Sequence, residues 1–221
     1  MTIKKVTQRP LEYNAECRDC PRLATFLDDV KVDHPSYFCK PVPSFGVSKP
    51  KLLIVGLAPG LHGANRTGRP FTGDYAGELL YTTLHKFGFA DRATSVSADD
   101  GMKLIDCRIT NAVKCLPPQN KPVTTEIRTC NQFLRTEIAE TPRQTIILTL
   151  GGIAHGAVLM ATGLKAGAHK FGHGAKHQLA SGHVLFNSYH CSRYNTNTRR
   201  LTEITFHDVF AAIRAHLNLT A

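Results

Sequence analysis

Two groups of residues in this sequence have types and spacings that can do chemistry. Cys17 and Cys20 form a C-x2-C pair followed at once by Pro21, a spacing that delivers two thiolates to one metal centre from a single turn. A four-ligand site needs two more, and Cys39, Cys107, Cys115, Cys130 and Cys191 are all available. Seven cysteines are an odd number, which argues against a disulfide framework and for reduced thiols. The second group is spread along the chain. From Gly56 the sequence runs GLAPGLHGANRTGRPFTGDYAGELL to residue 80, with glycines at 56, 60, 63, 68, 73 and 77. Such a loop lets backbone approach a ligand closely just before a helix begins. It is neither a Walker loop nor G-x-G-x-x-G, so a nucleotide-cofactor site has little support. Asn111 precedes Lys114 and Cys115, and His190 leads into CSRYNTNTRRLT (191–202), which is polar, basic and free of carboxylates.

These residues need a scaffold, and the hydrophobic pattern predicts one. KLLIVGLA (51–58), TIILTLGG (145–152) and HVLFNSYH (183–190) are apolar, β-branched runs that read as buried strands, and CRITNAVKC (107–115) reads as an alternating fourth. Between them lie helical stripes: Leu79, Leu80, Leu84 and Phe87; then Val123, Ile127, Cys130, Leu134 and Ile138; then Phe206, Val209, Phe210, Ile213 and Leu217. The alternation predicts an α/β fold with a central, parallel-type four-stranded sheet flanked by helices. No linker or repeat divides the chain, so residues 1–221 read as a single domain. Residues 1–50 form an N-terminal segment carrying the cysteine pair, and 51–221 form the α/β core. In such folds ligands sit at the carboxyl ends of the strands, where the glycine loop, Asn111 and His190 all fall.

The chain has 221 residues, with 27 Lys plus Arg against 17 Asp plus Glu, a net charge of +10 spread along its length. A folded basic surface suits a polyanion such as nucleic acid. The longest apolar runs, such as 52–58, fall far short of the roughly 20 residues of a membrane span. The first ten residues, MTIKKVTQRP, contain no apolar core of a secretory signal. A cytoplasmic, monomeric protein is expected.

Taken together, GLAPG with GANRTGRPFTGDYAG, then NAVKCLPPQNKP, then SYHCSRYNTNTRRLT resemble the uracil-DNA glycosylase superfamily, and within it family 5, the iron–sulfur branch. The likeness runs from the Cys17 region to the last helical stripe and includes YFCKPVPSFG (37–46). It implies a monofunctional enzyme that excises uracil from DNA, and other deaminated bases such as hypoxanthine. It also implies a 4Fe-4S cluster held by Cys17, Cys20, Cys115 and Cys130, structural in role, leaving Cys39, Cys107 and Cys191 as free thiols. Zinc on four thiolates fits the same ligands.

The resemblance also assigns roles. Phe71 is the candidate platform beneath a flipped base, and Asn111 offers the donor and acceptor that the uracil N3–H and O4 edge requires. Gly56, Leu57, Ala58 and Gly60 would line the base pocket. His190 is the candidate hydrogen-bond donor to the departing base. Asp74 is the candidate for positioning water and offsetting the cationic sugar, against the alternative that it merely caps a helix. Asn65, Arg66, Ser192, Arg193, Tyr194, Asn195 and Arg199 are the expected DNA contacts, and the histidine-rich stretch 163–182 is expected to be a mobile loop near DNA. Two departures, Leu57 and Ala58 where other branches carry an acid or amide, and Cys191 where a small apolar residue or proline is usual, leave one alternative standing: an inactive iron–sulfur nucleic-acid-binding module. A phosphate-ester or nucleotide enzyme using the glycine-rich loop is the other.

Overall fold

The computed structural model describes residues 13–219; the N-terminal stretch read for a secretory signal lies outside the described residues. Four parallel strands form the middle of the sheet: β2 (Leu52–Gly56), β3 (Cys107–Asn111), β4 (Ile146–Leu150) and β6 (Val184–Ser188). They occupy the runs expected from the sequence, except that the strand after Cys107 stops at Asn111 instead of reaching Cys115.

The sheet is wider than the four strands expected. It is mixed and six-stranded, in the order β1-β3-β2-β4-β6-β5, because β1 (Phe45–Gly46) and β5 (Lys176–Gln178) add antiparallel edges. Strand β5 also corrects the reading of 163–182 as a mobile loop. Lys176, His177 and Gln178 pair with Phe186, Leu185 and Val184, and His155 Nε2 lies 2.8 Å from the His169 carbonyl, pinning the segment to the core.

Alternate residues of the parallel strands face opposite layers, as period-2 geometry requires. Leu52, Ile54, Ile109, Leu148 and Phe186 pack with Leu80 and Leu84 of α3 (Tyr75–Lys86) and with Phe206, Phe210 and Ile213 of α7 (Glu203–Leu219). Leu53, Val55, Ile147 and Leu185 pack with Leu134 and Ile138 of α4 (Thr124–Glu140) and Ala157 and Val158 of α5 (Gly152–Ala161). Helix α1 (Pro21–Asp33) joins α4 through Arg22, whose guanidinium makes two bonds of 2.7 and 2.8 Å to buried Glu126. Burial works to raise the Glu126 carboxyl, but Arg22 and the Val123 amide bring it below its ordinary value. No helix among the described residues is long and apolar enough to cross a membrane.

Register aligns the strand ends. Gly56 is level with Asn111, and Leu150 with Ser188. The chain first runs from β2 to β3 on one side, then crosses to β4 on the other. The reversal lies between β2 and β4, where a crevice for ligand opens outside the carboxyl ends.

Candidate active site

A cavity of about 440 Å³ fills that crevice, within the usual range for ligand pockets. Strand β2 contributes Leu57, Ala58 and Gly60 just beyond its end, β3 its last residue Asn111, and the segment after β6 His190, Ser192 and Arg193. Phe71 and Asp74 come from the loop between α2 (Ala64–Thr67) and α3. Nine of the residues expected at the site thus line one cavity. Gly56 lies beneath it: a Cβ there would sit 2.7 Å from the Phe71 ring and closer still to Asn111 Oδ1. The bare backbone is what lets both side chains lie over the strand end.

Phe71 is buried and stacks on His190, with ring centroids 5.8 Å apart and planes 27° apart. Its backbone is left-handed, φ 56°, a conformation that strains a residue with a Cβ by about 1–3 kcal/mol. The two residues before it hold it there. Tyr81 Oη donates to the Pro70 carbonyl at 2.7 Å, and Arg69 is locked to Asp100 at 2.7 Å and to the Ala98 carbonyl.

Asn111 is buried, and its Oδ1 has no hydrogen-bond partner among the described residues. A buried amide oxygen left this way is costly, so the position is built for a donor supplied by something else. Burial lowers the His190 pKa to about 4, so its imidazole is neutral around pH 7 and one ring nitrogen carries a proton to donate. Its carbonyl accepts from Asn195 Nδ2 at 2.8 Å.

Asp74 answers to both readings of it. Oδ1 caps α3 by accepting from the Gly77 amide at 3.1 Å, while the carboxylate also lines the cavity. Burial raises its pKa, against the Gly77 and Ala76 amides, which pull it down.

The expected DNA contacts divide. Ser192 caps α6 (Arg193–Asn197), accepting from the Asn195 amide, and Arg193 stands at the cavity mouth. Tyr194 is 73% exposed, and Arg199 and Arg66 are exposed. Asn195 turns inward to His190 instead of outward. Asn65 corrects the expectation outright: it is wholly buried, with Nδ2 directed at Cys39 Sγ, and has no surface to offer a phosphate. Cys191 is buried too, its thiol 3.3 Å from the Ala76 carbonyl, so it packs the loop and does not wedge.

Several cavity residues had escaped the sequence reading. Gly151, Gly152, Ile153 and Ala154 bring the first turn of α5 to the pocket. The logic that singled out Gly56–Gly60, glycine directly after a buried strand, applies equally to Gly151. Asn120, on left-handed backbone in the PPQN turn, and Tyr75 also line the pocket; neither had a signal beyond proximity to a motif.

Away from this pocket, Cys17, Cys20, Cys115 and Cys130 line a second cavity together with Leu23, Val113 and Phe133. Cys20 is the N-cap of α1 and Cys130 lies in the second turn of α4, so the Arg22–Glu126 pair brings them to one place. The Lys114 amide donates to Cys130 Sγ at 3.3 Å. Burial, with the neighbouring thiols, pushes Cys115 up to about 12, and burial likewise pushes Cys20 to about 11. Four thiols crowded in this way resist ionising unless a cationic group offsets them. Among the described residues no three His, Cys, Asp or Glu side chains converge tightly enough for a single metal ion.

The family model described as the Uracil DNA glycosylase superfamily matches residues 43–216. A type-5 uracil-DNA glycosylase of Thermus thermophilus is 43% identical over 198 residues, covering 87% of this chain and 90% of that protein. One from Mycobacterium leprae is 43% identical over 213 residues, 90% of this chain and 92% of its own. A third, from Pyrobaculum aerophilum, is 40% identical over 197 residues, 87% and 85% of the two chains.

Proposed function

The chain belongs to the uracil-DNA glycosylase superfamily, and from that membership we propose how its pocket acts: it hydrolyses the N-glycosidic bond of uracil in DNA, a repair reaction that leaves an abasic site. The observation that carries this reading is Asn111, buried at a strand end with an unpartnered Oδ1, in one cavity with Asp74 and neutral His190.

The target nucleotide must leave the duplex stack before its glycosidic bond can be reached. Phe71 then lies beneath the base, Asn111 Oδ1 accepts from uracil N3–H, and Nδ2 donates to O4. As the bond breaks, negative charge gathers on the base and positive charge on the sugar. His190, already neutral, donates to uracil O2; removal of one such preorganised donor typically costs about 10²–10³ in rate. The Asp74 carboxylate offsets the cationic sugar and orients the water whose oxygen bonds to the anomeric carbon. Exposed Tyr194, Arg193 and Arg199 face the duplex, and with Arg66 they hold its phosphates.

Hypoxanthine presents the same donor–acceptor pair at N1–H and O6, so the Asn111 amide suits it equally, and we include other deaminated bases among the substrates. Cys17, Cys20, Cys115 and Cys130 fit a 4Fe-4S cluster. The donor set is all thiol and a backbone amide bonds to one of the sulfurs, as in protein sites that hold such clusters. When bound, the cluster supplies a structural tie between the segment before α1, the β3 end and α4. The reading takes the protein as a cytoplasmic monomer acting on cellular DNA. Mass spectrometry of bases freed from duplexes holding uracil, hypoxanthine or xanthine tests the assignment: free uracil supports it, and no released base from any duplex overturns it.

A further inference from the structure

Helix α6 carries the residues that face DNA, yet it is bonded on two sides to the supports of the reacting groups. On one side Asn195 Nδ2 donates to the carbonyl of His190 at 2.8 Å. On the other, the hydroxyls of Thr196 and Tyr75 are 3.1 Å apart, and the Arg193 guanidinium lies 5.1 Å above the Tyr75 ring. Tyr75 is the first residue of α3, directly after Asp74, whose carboxylate caps that helix. Asp74 and His190 thus stand on separate segments, and α6 bridges them through Asn195 and Thr196, both half-buried.

From these contacts we propose that Tyr75 is a positioning residue: paired with Thr196, it latches the DNA-facing helix to the start of the Asp74 helix. Seating α6 on the duplex then brings Asp74 and His190 into register across the pocket. The inference rests on the glycosylase reading, since it concerns alignment of that reaction's groups. A hydroxyl pair suits the task. It fixes direction between two short segments, and cation–π attraction keeps the Tyr75 ring under Arg193 while the hydroxyls set the register.

The test compares Tyr75→Phe, Thr196→Val, the double variant and Thr196→Ser under single-turnover conditions on a uracil duplex, with binding measured on a duplex holding a tetrahydrofuran abasic analogue. Tyr75→Phe keeps the ring, and with it the pocket wall and the Arg193 contact. Each of the first two should lower the cleavage rate about five- to tenfold, the scale of one hydrogen bond, with the dissociation constant within about twofold of wild type. The double variant should be no slower than the worse single one, because both remove the same contact. Thr196→Ser should restore the rate. Unchanged rates, losses that multiply, a Ser variant as slow as the Val one, or weakened binding with an intact rate each overturn the latch. A wild-type protein that frees no base takes the glycosylase reading down and the latch with it. Active wild type with indifferent variants removes the latch alone.

Discussion

Replacing Gly56 by Ala adds one methyl group at the strand end on which the pocket rests. The backbone there is that of an ordinary strand residue, so the effect comes from the side chain alone. The new Cβ would lie 2.7 Å from the Phe71 ring, so the ring must withdraw by roughly 0.7 Å to reach an ordinary contact of 3.4 Å, and Asn111 Oδ1 must move further. Phe71 cannot retreat freely, because its backbone is held left-handed and its ring stacks on His190. The displacement therefore reaches both base-contacting side chains and the donor beside them. A misplacement near 1 Å at a reacting site costs on the order of 10²-fold in rate. Overpacking costs about 1–3 kcal/mol, or roughly 2–12 °C in Tm for a chain of this size. Single-turnover cleavage of a labelled uracil duplex gives the rate, and a calorimetric melt gives the Tm. A variant that melts within this range yet cleaves within about threefold of wild type would refute the placement of the base over Gly56.

Asp74→Asn preserves the cap of α3, since Asn caps as well as Asp, so stability should hold while single-turnover cleavage falls at least about tenfold with binding unchanged. The wild-type rate should fall in acid as Asp74 protonates, at a pH above the ordinary aspartate value because burial raises its pKa; that limb should vanish in Asp74→Asn. With His190 held at about 4, a rate profile between pH 5 and 8 should show no inflection at the ordinary histidine value of about 6.5. The same depression makes a stability contribution that is complete above about pH 6.5 and lost as pH falls toward 4, because the unfolded chain takes up the proton first; urea melts of wild type and His190→Ala across that window check the sign. Arg199→Ala should reduce the slope of log K against log salt by about one unit, and an unchanged slope removes it from the phosphates. Cys115→Ser should purify without the iron and visible absorbance of the wild-type protein, and a colourless wild type carrying zinc would sink the iron–sulfur assignment.

The four parallel strands were legible because strands covered on both faces read as continuous apolar runs. The edges were not. Phe45–Gly46 is two residues long and Lys176–Gln178 is polar, so each exists only through pairing with an inner strand. The site was legible to the extent that strand ends could be located: Leu57, Phe71, Asp74, Asn111 and His190 meet in one cavity. What failed depended on which way a side chain turns. Asn65 and Asn195 lie in basic, polar segments that face DNA by composition, but Asn65 is folded under the segment holding Cys39, and the Ser192 cap turns Asn195 back toward His190. Asp74 shows the opposite case, in which two readings of one residue are compatible because each oxygen has its own surroundings.

The most direct test of the catalytic claim is incubation of the wild-type protein with an end-labelled duplex holding one uracil opposite guanine, in EDTA, followed by hot alkali. The expected result is a strand break at the uracil position that appears only after alkali, the mark of an enzyme that needs no free divalent cation, removes the base and leaves the backbone whole. An intact strand from protein that demonstrably binds the duplex would contradict it.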